Sequence, residues 1–375
     1  ESLGVKPAGK KLYGAFNVFF TDSDLAPLEE TLARIPEGVF DAFIVSDIGA
    51  APLFTRRFPN TPLHLSTQAN CTNSGAARRC RDLGFSRIIA ARELSLADIE
   101  TLKRQSGLEI EIFCHGAMCL AYSGRCFLSA YLTGRSANAG DCAHSCRWSY
   151  RVLEESEREG EYFPLIQGDG FSALLSSKDL CLIDHLGALR NAGVDAIKIE
   201  GRMKSVYYTA VTARAYRAAL DMLEGPALSA QDHVRATAFR DELFNVSRRE
   251  FSTGFLFGKE EIEKPARDSY IRNYLFVGVV GNETRQGVFR IDLKNRLMAG
   301  EAIEYTGFDV ASISDQAFTL LDNGGQPVPA LNHNTPGFLA TSQKIKPGYL
   351  IRKRIPPPEK TARTDPSGGR IPRDE

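Results

Sequence analysis

Four cysteines lie close together in the middle of this chain, at Cys119, Cys126, Cys142 and Cys146. Glycines and an arginine surround them, and no hydrophobic period places them on one buried face, so a core role explains them poorly. Thiolates grouped in this way bind soft metals. Zinc ligands usually come in pairs roughly two to four residues apart, whereas six residues separate Cys119 from Cys126. Iron–sulfur clusters accept wider spacing and need only thiolates, so the pattern favours a cluster over zinc.

Cys181 competes with Cys146 for the place of the fourth ligand. Ser177 is typical of a helix N-cap, and the pattern predicts a helix from there through Leu189. Cys181 would lie in the first turn of that helix, where the dipole lowers the pKa of a thiol. We take Cys146 as the fourth ligand and keep Cys181 as the alternative. The remaining cysteines are expected to be structural, namely Cys71, Cys80 and Cys114.

A strand followed by a helix repeats from the start of the chain to about residue 225. The predicted strands are Lys11–Asn17, Asp41–Asp47, Leu63–Gln68, Arg87–Arg92, Leu108–Phe113 and Asp195–Glu200. Such alternation predicts an α/β fold with a parallel sheet. A doubly wound sheet would carry a Gly-rich phosphate loop after its first strand, and this chain has none there. The pattern therefore favours a TIM-like (β/α) barrel.

Polar residues at the carboxyl ends of these strands are expected to line the mouth of the barrel. The alternation of side chains predicts that Glu111 and His115 share the inner face, as do Lys198 and Glu200. The candidate catalytic residues are Glu111, His115, Lys198 and Glu200. The candidate substrate-binding residues are Asn17, Asp47, Gln68, Arg92 and Arg202. A structural network of salt bridges is the alternative for these inward charges, and His64 is expected in the core.

A closed barrel of this type has eight strands, but only six are recognised here, so we expect the first two βα units to be missing. The barrel is predicted over 1–225, with a cysteine-rich insertion over 114–176. A helical connector over 226–268 follows. Short strands with turns then predict a small antiparallel β-barrel over 269–355, and composition predicts a disordered tail over 356–375.

The amino-acid composition gives the protein no large net charge of either sign. Lys+Arg and Asp+Glu both number 46, so nothing like the surface of a general nucleic-acid binder is indicated. Local basic spots would have to contact RNA, and the candidates are Arg147 with Trp148, Arg248–Arg249 and Arg352–Arg354. Eight cysteines without a secretory signal favour reduced thiols in the cytoplasm. No apolar run approaches the roughly 20 residues of a membrane helix, so no membrane partner is expected.

One stretch resembles the signature of a known family. The residues Glu111-x-Phe113-x-x-Gly116-Ala117-Met118-Cys119, followed by Gly124-x-Cys126-x-Leu128-Ser129, are similar to the motif of peptidase family U32, the collagenase-like proteins. Leu65–Asn70, Ser177–Cys181 and Lys198–Ser205 support the resemblance, which covers about residues 8–350 and extends to the C-terminal β-domain of the tRNA-hydroxylation branch.

The resemblance implies a barrel that holds a 4Fe-4S cluster and hydroxylates tRNA without oxygen. In this branch the product is 5-hydroxyuridine at the wobble position, and prephenate is the hydroxyl donor. It also implies tRNA as partner, with a second family subunit or an electron donor. Two alternatives stay open: a metal-dependent collagenase-like peptidase, and a non-catalytic RNA-binding or assembly subunit with a structural cluster. The chain has no GxSxG or HExxH motif, which disfavours the peptidase.

Overall fold

The computed structural model describes residues 9–148, 166–168, 171–173, 177–225, 229–258 and 271–356. The chain forms two compact units. The first comprises Glu1–Leu243 with Arg248–Ile271, and the second comprises Phe244–Ser247 with Arg272–Glu375. Most of the predicted tail, and the greater part of the cysteine-rich insertion after residue 148, lie outside the described residues.

The first unit is built on a mainly parallel sheet. The strands of this sheet are β1 (Tyr13–Phe16), β2 (Ala42–Val45), β3 (Leu63–Leu65), β4 (Phe85–Ile89), β5 (Glu109–Ala117), β8 (Asp179–Cys181), β9 (Ala196–Ile199) and β10 (Phe251–Ser252). Two further strands, β6 (Ile166–Gly168) and β7 (Phe171–Ala173), form a separate antiparallel pair. The parallel pairs follow the chain as β1-β2-β3-β4-β5, and β9 lies beside β5. These six strands coincide with the six predicted ones, so the α/β class and the parallel sheet are confirmed.

Helices fill the connections between these strands. They are α1 (Asp22–Ala33), α2 (Ala51–Arg57), α3 (Ser74–Asp82), α4 (Leu96–Ser106), α5 (Leu128–Thr133), α6 (Leu186–Asn191), α7 (Val206–Glu224) and α8 (Ala230–Asp241). Helix α4 shows why the chain folds this way. Ser95 and Asp98 form a capping box at its start, Ile99 and Leu102 are buried, and Gly107 ends it with φ of 71°. The helices in the described ranges are all too short or too polar to cross a bilayer.

The predicted helix start at Ser177 is wrong, and only the last part of the helix predicted through Leu189 is α-helical. Residues 179–181 form β8, which pairs antiparallel with the end of β5 and parallel with β10. A short 3-10 helix follows at Ile183–His185, and the α-helix begins at Leu186. Asp179 and Leu180 have partners far along the chain, which outweigh the local preference for a helix start: the Asp179 carboxylate accepts two hydrogen bonds from the Arg249 side chain, at 2.8 and 3.0 Å.

A bulge near the end of β5 changes which way its side chains point. Phe113 pairs with Lys198 of β9, but His115 pairs with the very next residue, Ile199. One extra residue in β5 reverses the alternation. His115 therefore packs against rings of α7 rather than beside Glu111, and the prediction that the two share a face is wrong.

The second unit is an antiparallel sheet with its own core. Its strands are β11 (Tyr274–Arg285), β12 (Val288–Leu293), β13 (Leu297–Met298), β14 (Ile303–Thr306), β15 (Ile313–Asp315), β16 (Thr319–Leu321), β17 (Ala330–Leu331), β18 (Gly337–Ala340) and β19 (Leu350–Arg354). Seven of them pair in the order β15-β14-β19-β11-β12-β18-β16, and β13 pairs with β17. The buried side chains include Val277, Phe289, Ile291, Tyr305, Leu339 and Ile351. The antiparallel β texture predicted for this part of the chain is confirmed.

Candidate functional site

The cysteine loop, which we define as residues 118–127, is fastened to the carboxyl ends of β3 and β4. Gly124 has φ of 69°, and a Cβ there would lie 1.9 Å from the carbonyl oxygen of Gln68, just beyond β3. Ser123 donates its backbone N–H to the Glu93 carboxylate at 2.6 Å. The Ser123 hydroxyl accepts the backbone N–H of Arg92 at 3.2 Å. Only glycine fits so close to another backbone, so the loop is held at this edge of the sheet.

Ser129 joins the two segments that carry the four cysteines. It is buried in α5, donates to the carbonyl of Arg135 at 2.7 Å and accepts the backbone N–H of Ala143 at 2.9 Å. Asn138 donates to the carbonyl of Cys126 at 3.3 Å. One small hydrogen-bonded unit therefore holds the stretch after Cys126 against the stretch that begins at Cys142.

The four thiols suit a soft metal by their chemistry. Cys119 and Cys142 are exposed, and Cys126 and Cys146 are partly buried. None of the eight cysteines forms a disulfide in the structure. Within the described residues, no three Cys, His, Asp or Glu side chains are close enough to hold a metal ion. The donor set fits a thiolate cluster, and ligation would require the loop to draw its thiols together, as metal sites often do on binding.

Cys181 lies in β8 and not at a helix start. Its sulfur is 4.0 Å from the hydroxyl of Tyr216 on α7. Burial raises the pKa of the Cys181 thiol, whereas the sequence predicted a lower one. Tyr216 also donates to the carbonyl of Cys114 at 2.8 Å, so the tyrosine ties β5 and β8 to α7.

Glu111 lies in a buried group of charges on β4, β5 and β9. Its carboxylate accepts a hydrogen bond from Arg87 at 2.9 Å and lies 3.8 Å from the ammonium of Lys198. Glu111 is only 6% exposed. Burial lowers the pKa of Lys198, and the charges of Glu111 and Glu200 partly oppose this. The structure thus brings together three of the predicted catalytic residues. Glu111 contacts Lys198, and the charge of Glu200 acts on Lys198.

Arg87 was not predicted as a member of this group. It forks to Glu109 of the neighbouring strand, at 2.6 and 2.8 Å, and reaches Glu111 with its other nitrogen. Arg87 and Glu109 are directly opposite each other in the parallel pairing of β4 and β5. An arginine early in one strand and a glutamate early in the next are the signals from which this pair could have been found.

Arg92 links the end of β5 to the first cysteine. Its guanidinium stacks on the ring of Phe113, 3.9 Å from the centroid. One nitrogen donates to the carbonyl of Ala117 at 2.9 Å and lies 4.0 Å from the sulfur of Cys119. The buried Nε of Arg92 has no hydrogen-bond partner among the described residues. A buried donor left unsatisfied is costly, so this nitrogen is suited to bind a ligand.

His115 belongs to a separate, buried group. Its Nδ1 is 3.3 Å from the Tyr216 hydroxyl, and its ring packs against Tyr208 and Phe251. Burial lowers the pKa of His115 to about 4, so the imidazole is neutral at neutral pH. Its Nε2 has no partner within the part of the chain that the structure describes.

The remaining predicted site residues are dispersed along the carboxyl edge. Asp47 accepts backbone N–H groups of Gly49 and Phe20 and so orders the loops after β1 and β2. Glu200 accepts the backbone N–H of Arg202 at 3.1 Å, and the Arg202 side chain is exposed. Asn17 is half-buried just after β1, and Gln68 supports the cysteine loop through its backbone.

Two of the basic spots predicted for RNA each contain one buried arginine, whereas Arg248 and Lys353 are partly buried and Arg354 is exposed. Arg249 is 1% exposed and pairs with Asp179, and Arg352 is 1% exposed and pairs with Glu304. Arg249 and Arg352 hold strands together within each unit, so the prediction that these two arginines contact RNA is wrong. For Arg248, Lys353 and Arg354 it stays a prediction. Trp148 remains exposed.

Comparisons with known proteins cover both units. Residues 5–265 match the sequence model of peptidase family U32, and residues 272–352 match that of the peptidase family U32 C-terminal domain. The chain is 33% identical over 354 residues to tRNA hydroxylation protein P of Escherichia coli K12, covering 80% of this chain and 75% of that protein. It is 31% identical over 354 residues to tRNA hydroxylation protein P1 of Bacillus subtilis 168, covering 93% and 82%. It is 30% identical over 322 residues to a collagenase of Porphyromonas gingivalis W83, covering 80% and 73%.

Proposed function

Because the chain belongs to peptidase family U32, we propose that it hydroxylates a base of tRNA, converting the wobble uridine to 5-hydroxyuridine without molecular oxygen. The relatives from Escherichia coli and Bacillus subtilis are named for tRNA hydroxylation, and the similarity to them runs through most of the chain. We assign the activity to the cytoplasm, where tRNA is found and thiols stay reduced.

The observation that carries the proposal is that Arg92 joins the cysteine loop to β5, the strand that bears Glu111. Gly124 and Ser123 hold the loop on the ends of β3 and β4. Arg92 contacts both the loop and Phe113, which is two residues from Glu111. The thiols and the Arg92 guanidinium thus lie at the carboxyl edge of a parallel sheet, where α/β enzymes place their active sites. Glu111 and Lys198 lie on strands that lead to this edge.

The six parallel strands support a (β/α) barrel as the finer architecture. They pair in chain order from β1 to β5, and β9 continues the sheet beyond β5. Sequential parallel pairing with a helix after most strands is the order that a barrel requires, whereas doubly wound sheets reverse direction partway. In this proposal the polar strand ends surround one mouth.

We propose that Cys119, Cys126 and Cys142 hold a 4Fe-4S cluster together with Cys146, with Cys181 as the competing fourth ligand. The cluster would supply electrons or a Lewis-acid iron at the mouth of the barrel. Thiolates alone suffice as its ligands. The loop that carries the first two lies against the backbone of Gln68, just beyond β3, which supports this assignment.

The residues of the chain would bind the hydroxyl donor and move protons. Prephenate is a dicarboxylate, and Arg92 with its unpartnered Nε and the exposed Arg202 can bind carboxylates in the forked geometry of arginine. Lys198 has a pKa lowered by burial, so it gives up a proton more readily than an ordinary lysine. Glu111 and Glu200 flank it and can accept or return that proton. His115 is retained as a proton-transfer candidate that acts from the far side of β5.

The direct test is an anaerobic reaction with purified protein. The protein is reconstituted with iron and sulfide, reduced by a chemical electron donor, and mixed with prephenate and tRNA that lacks the modification. Nucleosides from digested tRNA are then separated by mass. We expect a uridine heavier by one oxygen atom, dependent on prephenate. If the oxygen appears without prephenate, the donor assignment is wrong; if no hydroxylated nucleoside forms even with a cell extract as the source of a second subunit, the proposed function is wrong.

A metal-dependent peptidase is the second candidate, since one relative is named a collagenase. Within the described residues, the serines of the motifs offer this activity no evident nucleophile. Ser66 and Ser129 are buried, and both hydroxyls are engaged with backbone groups. Cleavage of a collagen peptide by the metal-loaded protein, abolished in Glu111→Gln, would favour the peptidase.

A further inference from the structure

Aromatic side chains project into solvent from the cysteine loop and the helix after it. Tyr122 is 67% exposed, Phe127 is 72% exposed and Tyr131 is 76% exposed. Phe127 and Tyr131 are four residues apart, and their ring centroids are 6.3 Å apart. Large exposed apolar groups that lie side by side mark a surface that binds something. We call Phe127 and Tyr131 the aromatic pair.

The aromatic pair is held by a well-ordered support. The backbone N–H of Tyr131 donates to the carbonyl of Phe127 at 2.9 Å, which closes the first turn of α5. On the opposite side of that turn the buried Ser129 bonds to Arg135 and Ala143. The rings therefore project from a fixed turn, so binding to them costs little ordering of the protein.

Two arginines lie close to the aromatic pair along the chain. The stretch 116–140 contains Arg125 and Arg135 and has no acidic residue. Arg135 pairs with Asp141 at 2.7 Å. Arg125 is exposed, and its guanidinium pairs with no carboxylate in the described part of the chain. The surface thus combines two stacking rings with an available cation.

Aromatic rings beside an available guanidinium are the groups that recognise unpaired nucleotides. Bases stack on the rings, and the phosphate between them binds the cation. The chain as a whole has no net charge, so local groups must supply its contacts with RNA. Cys126 directly precedes Phe127, which puts the aromatic pair next to the proposed cluster.

We propose that the aromatic pair and Arg125 bind single-stranded nucleotides adjacent to the base that is modified. The inference rests on the proposed function and adds which face of the protein holds the RNA. In this role the pair and Arg125 position the strand and take no part in the chemistry.

The test measures RNA binding apart from hydroxylation. Fluorescence anisotropy follows a labelled single-stranded oligonucleotide with an anticodon-loop sequence, and a duplex of the same length is the comparison. The variant Phe127→Ala/Tyr131→Ala removes both rings, and Phe127→Tyr/Tyr131→Phe retains them. Leu83→Ala, an exposed apolar residue at the end of α3 by the amino edge of the sheet, is the matched control.

We expect the double alanine variant to bind the single strand about tenfold or more weakly, since each stacked base is worth a substantial part of the affinity. The variant that retains the rings and Leu83→Ala should bind like wild type. Arg125→Gln should weaken binding and reduce its salt dependence by about one phosphate contact. Hydroxylation by the alanine variant should show a raised KM for tRNA with kcat retained.

Unchanged single-strand affinity in the double alanine variant would overturn the inference. So would an equal loss of duplex and single-strand binding, or a loss of self-association in place of RNA binding. The binding assay does not require turnover. If wild-type protein binds the single strand through these rings but never hydroxylates it, the inference stands and the proposed function fails.

Discussion

Glu111 is held by two cations, with Arg87 at 2.9 Å and Lys198 at 3.8 Å. A buried carboxylate of this kind is expensive to leave unpaired, whatever its role in catalysis. A structural network of salt bridges, the alternative to a catalytic role in the sequence analysis, therefore describes part of what these charges do. The same arrangement fixes the orientation of the Glu111 carboxylate between β4 and β9.

Removal of Arg87 should destabilise the first unit. Arg87→Met leaves the carboxylates of Glu109 and Glu111 without their shared partner, and we expect a loss of about 2–4 kcal/mol in the free energy of unfolding. Urea unfolding followed by circular dichroism measures it. The matched control is Arg56→Met, because Arg56 pairs with Glu29 on the surface and such pairs contribute about 0–1 kcal/mol. Equal effects of the two substitutions would show that the buried network adds no stability.

His64 should make the protein sensitive to acid. It is 4% exposed, its Nδ1 has no partner among the described residues, and burial lowers its pKa to about 4. The unfolded chain takes up a proton near pH 6.5, whereas the folded protein does so only near pH 4, so stability falls as the pH drops through this window. His64→Leu should reduce that loss, by up to about 3 kcal/mol between pH 7 and pH 4.

Urea unfolding of wild type and His64→Leu at several pH values measures this difference. His115 has the same direction of shift and stays in both proteins, so part of the acid dependence should remain. Parallel pH profiles for the two proteins would contradict the role assigned to His64.

At the residue scale the sequence predicted the identity of the charged groups better than their orientation. Glu111 and Lys198 meet as expected, because simple alternation holds as far as Phe113. His115 lies on the other face of β5 because of the bulge. The bulge depends on how β5 pairs with β9, and this pairing cannot be predicted from the sequence of either strand alone. Cys181 was misplaced for a related reason, since β8 exists only through its pairs with β5 and β10.

Among the elements, the cysteine loop depends on one close backbone contact. Gly124→Ala would place a methyl group 1.9 Å from the Gln68 carbonyl oxygen, at a φ of 69°. Gly134→Ala is a matched control, because Gly134 has nearly the same φ of 72° and no atom within 4 Å of the added Cβ. Both substitutions should lower the free energy of unfolding by about 1 kcal/mol, because alanine disfavours the left-handed backbone conformation at these positions. We expect Gly124→Ala to cost more, by about 1–3 kcal/mol, because backbone must move.

Hydrogen exchange of residues 118–127 reports on the loop directly. Gly124→Ala should raise the exchange rates there, and Gly134→Ala should leave them near wild type. Fast exchange of the loop in wild type itself would contradict the fastening described for Ser123 and Gly124.

At the scale of the whole molecule, metal content tests the ligand set. Cys119→Ser, Cys126→Ser and Cys142→Ser should each abolish stoichiometric iron and acid-labile sulfide after anaerobic reconstitution. Cys80→Ser should keep both, because Cys80 lies on α3, outside the cysteine loop. Comparison of Cys146→Ser with Cys181→Ser identifies the fourth ligand. Stoichiometric zinc without sulfide in the wild-type protein would refute the cluster.

The division between an α/β part and an antiparallel part follows from the sequence, because hydrophobic periodicity changes near Tyr270 from alternating strands and helices to short strands with turns. The two-residue strand β10 could not be predicted within the segment read as helical, since it is defined by its pairing with β8. The aromatic pair was missed because Phe127 and Tyr131 resemble core residues in a sequence, and only the fold shows them exposed.

The most direct test of the central claim is the nucleoside content of tRNA in a strain from which the gene is deleted. Mass spectrometry of digested tRNA should show that 5-hydroxyuridine and nucleosides derived from it are lost, and that the wild-type gene and Cys80→Ser restore them. Cys126→Ala should fail to restore them, although the protein accumulates. Persistence of the hydroxylated nucleoside at the wild-type level in the deletion strain, or its full restoration by Cys126→Ala, would contradict the account.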